Sequence, residues 1–323
     1  MNKSRNYIAV CAIIMLTACL RLAAQPTPNR IISLYPQGQA AGKGIVENGR
    51  EITLGPGEGN GLSGPEGGTP GRWVTKVNDN ARMEIYLPAK NNSGQMIVMC
   101  PGGGYGGLST GLEGSWAAEW FLQEGIAVCV VVYRMPEGHC TVPLTDVQNA
   151  FRYCRAHAEE WNVNQIGVMG YSAGGHLAAC ASTMFVDDVT RPDFSILVYP
   201  VITMEEGITH NGTRKNLTGG DAGKYDYYST EKQVSENTPP ALLVLSADDP
   251  AVPPQNSFLY FEALAKYGIR REIHVLPSGG HGWGFATAKY AENGKDPLGD
   301  DYRAVFFDIL DNYLYNMSLT RSE

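Results

Sequence analysis

The sequence predicts an α/β protein whose central sheet is mostly parallel and has helices on both faces. Seven strand-length apolar runs alternate with helix-length segments along the chain. Several of these runs are apolar throughout and rich in Val and Ile, as expected for strands that are covered on both faces. Strands that alternate with helices favour a parallel sheet, because each helix returns the chain to the edge where the next strand begins.

The elements follow each other in order from residue 81. The predicted strands are Met83–Leu87, Met96–Cys100, Ala127–Tyr133, Ile166–Met169, Ser195–Tyr199, Leu242–Leu245 and Glu272–Leu276. The predicted helices are Ser115–Glu124, Thr145–Trp161, Ser172–Phe185, Ser257–Tyr267 and Tyr302–Tyr315. We therefore expect one α/β domain over residues 81–318. Residues 25–80 have little periodicity and carry 12 of the 38 glycines, which predicts an irregular N-terminal segment wrapping that domain.

Composition excludes several classes of function. The chain has 25 Lys and Arg against 33 Asp and Glu, a net charge of −8, and no basic stripe, which argues against nucleic-acid binding and against anionic membrane surfaces. The seven cysteines form no CxxC pair and the six histidines no HExxH pattern, so we expect no metal and no cofactor. Four cysteines in apolar runs are expected to be buried hydrophobic residues: Cys100, Cys129, Cys154 and Cys180. The oligomeric state is not predicted.

The first 24 residues are typical of an export signal. A basic head precedes the apolar run Ile8–Leu16, which is too short to span a bilayer. Two processing sites remain open. Residues Leu16–Cys19 resemble a bacterial lipobox, which would leave a lipid anchor on Cys19, and Leu22–Ala24 resembles an ordinary signal-peptidase site. We therefore expect a periplasmic protein, an outer-membrane lipoprotein or a secreted protein.

A nucleophile elbow, GxSxG, occurs at Gly170–Gly174 around Ser172 and a second time around Ser109. The elbow requires a strand, a sharp turn and then a helix. Ser172 has a predicted strand before it and a predicted helix after it, whereas Ser109 lies in a glycine-rich loop with no strand running into it. The context therefore favours Ser172 as the nucleophile.

A glycine run follows the second predicted strand, in Cys100-Pro101-Gly102-Gly103-Gly104-Tyr105. Lipases and esterases carry an HGGG-type oxyanion loop at this place. Consecutive glycines let backbone N–H groups approach an anion, so Gly103, Gly104 and the N–H of Ala173 are the candidate oxyanion donors. The run matches neither GxGxxG nor GxxxxGK[ST], which argues against a dinucleotide or nucleotide phosphate.

An acid and a base follow the last two predicted strands. Asp248 and Asp249 come after Leu242–Leu245, and His281 comes after Glu272–Leu276, which reproduces the Ser, acid, His order of a hydrolase triad. Only one of two adjacent carboxylates can face His281, and the spacing Asp-x-x-Val-Pro favours Asp249. The other histidines have no partner set and are not expected to be functional: His139, His157, His176, His210 and His274.

The run from Pro101 to Pro136 resembles the α/β-hydrolases of the bacterial acetylxylan and feruloyl esterase type, which are BD-FAE-like and related to hormone-sensitive lipase. So do GVMGYSAGGHLAA, RPDFSILVYPVITM, TPPALLVLSADDPAVPPQNS and PSGGHGWG. The resemblance, from about Arg82 to Tyr315, implies an α/β-hydrolase fold and a Ser172–Asp249–His281 triad. It also implies that the substrate is an acyl ester, with acetyl as the main acyl group, on plant polysaccharide such as xylan. Pro101 departs from the pattern by replacing the His of HGGG.

Substrate selection is expected to involve aromatic residues, since flat rings suit sugars and feruloyl groups. Tyr105 and Trp283 are the candidate substrate contacts, with Phe285 and the segment Thr203–Asn237. Three alternatives stay open: a feruloyl esterase, a serine peptidase of the prolyl-oligopeptidase type, and a non-catalytic carbohydrate-binding protein on a hydrolase scaffold. The peptidases carry a large accessory domain, for which residues 25–80 are too few.

Overall fold

The computed structural model describes residues 26–35, 45–47, 50–52, 73, 77–79, 81–287 and 295–320. The predicted export signal with Cys19 lies outside these residues. The strands are β1 (Arg30–Ser33), β2 (Ile45–Glu47), β3 (Arg50–Ile52), β4 (Arg82–Tyr86), β5 (Gln95–Cys100), β6 (Ala127–Val132), β7 (Gln165–Tyr171), β8 (Ser195–Val198), β9 (Ala241–Ser246) and β10 (Arg271–Leu276). The α-helices are α1 (Trp116–Gln123), α2 (Thr141–Ala156), α3 (Ala173–Thr183), α4 (Asn211–Thr218), α5 (Tyr225–Tyr228), α6 (Gln255–Lys266) and α7 (Asp300–Leu319).

Eight strands form one sheet in the order β1-β4-β6-β5-β7-β8-β9-β10. The six strands from β6 to β10 in this order are parallel. At the other edge, β4 runs antiparallel to β6 and β1 runs antiparallel to β4. The predicted α/β-hydrolase fold, with a mostly parallel sheet and helices on both faces, is confirmed.

Alternate residues of each central strand face two separate cores. In β6, Cys129 and Val131 pack into a core with α2, α3 and α6, whereas Val128 and Val130 pack into the opposite core with α1 and α7. Every residue of β5, β6, β7, β8 and β9 is buried. Coverage on both faces explains why these strands are continuous apolar runs in the sequence. The four cysteines expected to be buried are buried and free.

Two differences from the sequence prediction have clear physical reasons. Helix α2 begins at Thr141, four residues earlier than predicted. Pro143 lies in its first turn, where backbone N–H groups have no partner within the helix, so the N–H that proline lacks is not missed. Helix α4 was not predicted, because its sequence NGTRKNLT is polar and has no apolar stripe. Gly219 ends α4 with a left-handed φ of 67°.

The N-terminal segment contributes a strand to the sheet, although it was expected to be irregular. Strand β1 adds to the edge at β4, and Tyr35 just beyond it contacts a buried ion pair through its hydroxyl. In that pair the Arg134 Nη2 lies 2.7 Å from the Asp146 Oδ1.

Among the described residues, no helix is both long enough and apolar enough to cross a membrane.

Candidate active site

Ser172 lies at the turn between β7 and α3 in a strained backbone conformation, with φ of 53° and ψ of −120°. The turn depends on glycines beside it. A Cβ on Gly170 would lie 2.1 Å from the Gly174 carbonyl oxygen, and a Cβ on Gly174 would lie 2.1 Å from the carbonyl oxygen of Cys100. No other residue fits at either place, so the GxSxG pattern here is a steric requirement of the elbow.

A continuous hydrogen-bonded chain links the serine to a histidine and a carboxylate. The Ser172 Oγ lies 2.8 Å from the His281 Nε2, and the His281 Nδ1 lies 2.7 Å from the Asp249 Oδ2. The second oxygen of Asp249 accepts the backbone N–H groups of Ala251 and Val252, each at 2.9 Å. In this arrangement His281 Nδ1–H donates to Asp249, which leaves Nε2 to accept the serine proton.

The two competing residues of the sequence analysis lie elsewhere. The carboxylate of Asp248 is exposed and accepts the N–H of Gly280 at 2.8 Å, so it holds the loop that carries His281. Ser109 donates its backbone N–H to the Gly102 carbonyl at 2.9 Å and thereby closes the glycine loop. The structure brings Ser172 and Asp249, and neither Asp248 nor Ser109, into contact with the His281 ring.

The oxyanion loop (residues 101–107) lies directly against the elbow. A Cβ on Gly102 would lie 2.6 Å from the Tyr171 carbonyl oxygen and 3.0 Å from the Ser172 Cβ. Within the described part of the chain, the N–H groups of Gly103 and Gly104 have no hydrogen-bond acceptor. Ala173 begins α3 and so leaves its own N–H outside the helical ladder. Donors without a partner are what an oxyanion hole requires, so these three N–H groups remain the candidates.

Sequence reasoning missed Glu113, a buried carboxylate that connects three parts of the site. Its Oε2 accepts the Gly102 N–H at 2.7 Å, and its Oε1 accepts the Tyr199 hydroxyl at 2.8 Å. That hydroxyl in turn accepts the N–H of Gly284, from the loop that carries His281, at 2.8 Å. Burial raises the pKa of Glu113, while its two hydrogen bonds oppose this shift. The only signal in the sequence is a single acidic residue after a glycine-rich stretch.

Tyr105 and Trp283 do not lie where a substrate contact was expected. Tyr105 is 2% exposed, and its hydroxyl contacts the His176 Nδ1 at 2.9 Å. Trp283 is 1% exposed and donates its indole N–H to Ser246 at 3.0 Å. Phe285 is also buried. These rings are buried because the removal of their large apolar area from water is favourable. The prediction that they contact the substrate directly is therefore wrong.

His176 has a structural role, as the sequence indicated. Its Nδ1 faces the Tyr105 hydroxyl, and its Nε2 lies 2.8 Å from the Tyr228 carbonyl oxygen. Burial lowers the pKa of His176 to about 4, so the ring is neutral at physiological pH. The ring ties α3 to the oxyanion loop and to α5.

Known proteins resemble this chain in sequence and in fold. Residues 83–196 match the BD-FAE family. The chain is 42% identical over 234 residues to an acetylxylan esterase of Xylanibacter ruminicola, covering 70% of this chain and 48% of that protein. It is 32% identical over 223 residues to endo-1,4-beta-xylanase B of Butyrivibrio fibrisolvens, covering 64% of this chain and 35% of that protein. The chain thus spans less than half the length of these two relatives.

A solved structure shares the fold over most of the chain. The acetyl ester-xyloside bifunctional hydrolase from Caldicellulosiruptor lactoaceticus superposes with a TM-score of 0.65 at 27% sequence identity. The match covers 88% of this chain and 97% of that structure. The strand order, the strained serine elbow and these similarities lead to one assignment: the chain belongs to the α/β-hydrolase superfamily, and BD-FAE is the family that its residues 83–196 match.

Proposed function

We propose that this protein is a serine carboxylesterase that removes acyl groups from plant polysaccharide such as xylan, with acetyl as its main acyl group. The observation that carries the proposal is the chain of contacts from Ser172 through His281 to Asp249, at 2.8 and 2.7 Å. The substrate class is supported by the resemblance to an acetylxylan esterase and to an acetyl ester-xyloside hydrolase. The cysteines that the structure describes are all buried, so none of them competes with Ser172 as an accessible nucleophile.

The geometry supports an acyl-enzyme mechanism. The His281 Nε2 removes the proton of Ser172 as the Oγ attacks the ester carbonyl. The N–H groups of Gly103, Gly104 and Ala173 stabilise the negative charge on the carbonyl oxygen. His281 then gives the proton to the leaving alcohol, and a water molecule deprotonated by the same ring releases the acid. Asp249 stabilises the imidazolium that forms in both half-reactions.

The nucleophile is tested with purified protein, 4-nitrophenyl acetate and a fluorophosphonate probe. We expect Ser172→Ala to abolish labelling and to lower kcat by at least about 10³-fold, since a triad without its nucleophile keeps only a small residual rate. Ser109→Ala is the matched control and should label fully. Wild-type turnover by Ser172→Ala, or loss of labelling in Ser109→Ala alone, would show that the wrong serine was chosen.

The substrate class is tested by chromatography of the acids released from three polymers: acetylated xylan, feruloylated arabinoxylan and acetylated pectin. Acetate from xylan supports the proposal. Ferulate as the main product would make the protein a feruloyl esterase. No acid from any polymer, with 4-nitrophenyl acetate still hydrolysed, would contradict the polysaccharide substrate and leave the esterase chemistry intact.

We also propose that the protein is exported, because the N-terminal sequence has a basic head, a short apolar run and two processing sites. Mass spectrometry of the mature N-terminus distinguishes the two sites. A diacylglycerol on Cys19 that is lost in Cys19→Ala identifies a lipoprotein, and a free N-terminus at Gln25 identifies ordinary cleavage. An intact Met1 would contradict export.

A further inference from the structure

Helix α4, which the sequence did not predict, docks on the oxyanion loop. The Asn216 side-chain amide donates to the carbonyl oxygen of Gly104 at 2.8 Å. The same helix is capped by His210, whose Cε1 would lie 3.6 Å from a Cβ on Gly104. The helix thus holds a histidine against the loop that supplies the proposed oxyanion donors. His210 lies within Thr203–Asn237, the segment expected to contact substrate, but the sequence indicated no role for the histidine itself.

The hydrogen bonds of His210 determine which of its ring nitrogens carries the proton. The Thr213 backbone N–H donates to Nδ1 at 3.2 Å, and a backbone N–H can only donate. The neutral ring therefore carries its proton on Nε2, and no described residue accepts a hydrogen bond from that nitrogen. Burial lowers the pKa of His210, with a further lowering from the charge of His281 and an opposing effect of Asp249. The ring is thus a neutral N–H donor beside the oxyanion loop.

Trp73 lies against the same loop at a different point. Its ring atoms would lie 3.0 Å from a Cβ on Gly103 and 2.8–3.0 Å from a Cβ on Gly107, so the indole packs on the bare backbone of the two glycines. The side chain is nevertheless 41% exposed. Among the described tryptophans it is the sole one with a large exposed area. The N-terminal segment thus brings an exposed indole to the oxyanion loop.

We infer that Trp73 and His210 form a subsite for the sugar ring of the substrate beside the oxyanion loop. A pyranose has an apolar C–H face that packs on a flat aromatic ring and a rim of hydroxyls that accept hydrogen bonds. The indole of Trp73 supplies the platform and the Nε2–H of His210 supplies the donor. This inference rests on the proposed esterase function and identifies the residues that hold the alcohol part of its substrate.

The test compares two acetate esters that differ only in the alcohol: an acetylated xylo-oligosaccharide and ethyl acetate, followed by pH-stat titration. The variants are Trp73→Ala and His210→Asn. Asn is a good helix cap, so it keeps the hydrogen bond to Thr213 and removes the Nε2–H donor. Tyr267→Ala is the control, since Tyr267 is also an exposed aromatic but follows α6, at the opposite end of that helix from Asp249.

We expect each variant to lower the ratio of kcat/KM for the sugar ester to kcat/KM for ethyl acetate by about tenfold, mainly through KM, and Tyr267→Ala to leave the ratio unchanged. Equal losses on both esters would overturn the inference, because the residues would then act only through the oxyanion loop. An unchanged ratio in both variants would also overturn it.

Binding of the deacetylated xylo-oligosaccharide, measured by calorimetry, tests the subsite independently of catalysis. Weaker binding to Trp73→Ala and His210→Asn than to wild type supports the subsite even if the polymer is a poor substrate. Equal binding to all three proteins, or no binding to wild type, contradicts it. Failure of the proposed esterase function appears differently, as a wild-type protein that hydrolyses neither ester.

Discussion

The oxyanion loop and the histidine loop (residues 277–284) each contain a pair of glycines with nearly the same φ values but are held in different ways. Gly103 and Gly104 have φ values of 140° and 62°, and Gly279 and Gly280 have values of 143° and 62°. In each loop a backbone N–H donates to a carboxylate, that of Gly102 to Glu113 in the first and that of Gly280 to Asp248 in the second. Both loops follow strands of the parallel part of the sheet, where ligand sites are expected.

The surroundings of the two turns differ. Glu113 is 3% exposed and Asp248 is exposed. A Cβ on Gly103 would meet the backbone, with the Gly107 carbonyl oxygen 2.1 Å away, whereas a Cβ on Gly279 would meet side-chain atoms of Ser246 and Leu298 at 2.6 and 2.7 Å. The oxyanion loop must hold backbone donors in one place, while the histidine loop carries a side chain whose own hydrogen bonds set its position. Rigid packing is therefore concentrated where backbone groups are proposed to act.

Asp249→Asn should have the largest effect, since it acts on the His281 ring directly. Asn has one acceptor oxygen in place of two, so it cannot accept the N–H groups of Ala251 and Val252 and also the Nδ1–H of His281. The hydrogen bond that fixes the His281 tautomer is then lost. We expect kcat/KM for 4-nitrophenyl acetate to fall by roughly 10³–10⁴-fold. Thermal unfolding should show that the variant remains folded. A fall of less than about tenfold would exclude Asp249 as the acid of the triad.

Gly103→Ala should break the oxyanion loop more severely than Gly279→Ala breaks the histidine loop. The new Cβ at 103 would overlap a backbone oxygen, so the loop has to move and displace an oxyanion donor. Loss of one such donor lowers kcat by roughly 10²–10³-fold. At Gly279 the neighbours are side-chain atoms that can rotate away, so we expect a smaller loss. Equal losses in the steady-state kcat of the two variants would contradict the difference in packing.

Glu113→Gln should lower kcat by about 10–100-fold while the protein stays folded. The amide keeps one acceptor for Gly102, but its NH₂ then faces the Tyr199 hydroxyl, which already accepts the Gly284 N–H. The hydroxyl proton is left without its acceptor, which loosens both loops. Tyr199→Phe is the matched variant and should give a similar fall, since it removes the same hydroxyl. Unchanged kcat in both would show that the connection between the loops has no role in catalysis.

Glu113 also predicts how stability depends on pH. Its pKa is raised above the ordinary 4.5, so the folded protein binds this proton more tightly than the unfolded chain does. The resulting contribution to stability is present below 4.5 and is lost as the pH rises through the folded-state value. Gln lacks this proton. The free energy of unfolding of Glu113→Gln relative to wild type should therefore increase as the pH rises through that window. Urea unfolding at several pH values from 4 to 8 measures this difference, and a difference that does not change with pH would contradict the prediction.

Local patterns explain why the sheet, Ser172, His281 and Asp249 could be predicted from the sequence. Each of the three residues follows a strand of the parallel sheet, and glycines mark the turns at Ser172 and His281. The strands before Ser172 and Asp249 are buried throughout. The Glu113–Tyr199 contact joins residues 86 positions apart and uses residue types that are common everywhere, so no local signal marks it. Only the three-dimensional arrangement of β5, β7 and β8 brings these two side chains together.

The wrong predictions for Tyr105 and Trp283 have the opposite cause. Both lie beside residues of the candidate site in the sequence, but adjacent residues point in different directions, and large rings are favoured in the interior. Conversely, His210 and Trp73 lie in segments without periodicity, where neither α4 nor the position of a single indole could be predicted. Side chains that face the substrate are held by such tertiary contacts, and these leave no regular pattern in the sequence.

Asp248→Ala should have the smallest effect of these substitutions, although it removes the carboxylate that holds the histidine loop. The substitution removes the acceptor for the Gly280 N–H, but Asp248 is exposed, so water takes its place. None of the described atoms lies within 4 Å of a Cβ on Gly280, so the turn can adjust without a clash against them. We expect kcat/KM to change by less than about threefold and the free energy of unfolding by less than about 1 kcal/mol. A loss as large as that of Glu113→Gln would mean that the histidine loop depends on its carboxylate as much as the oxyanion loop does, and that burial does not set the difference between them.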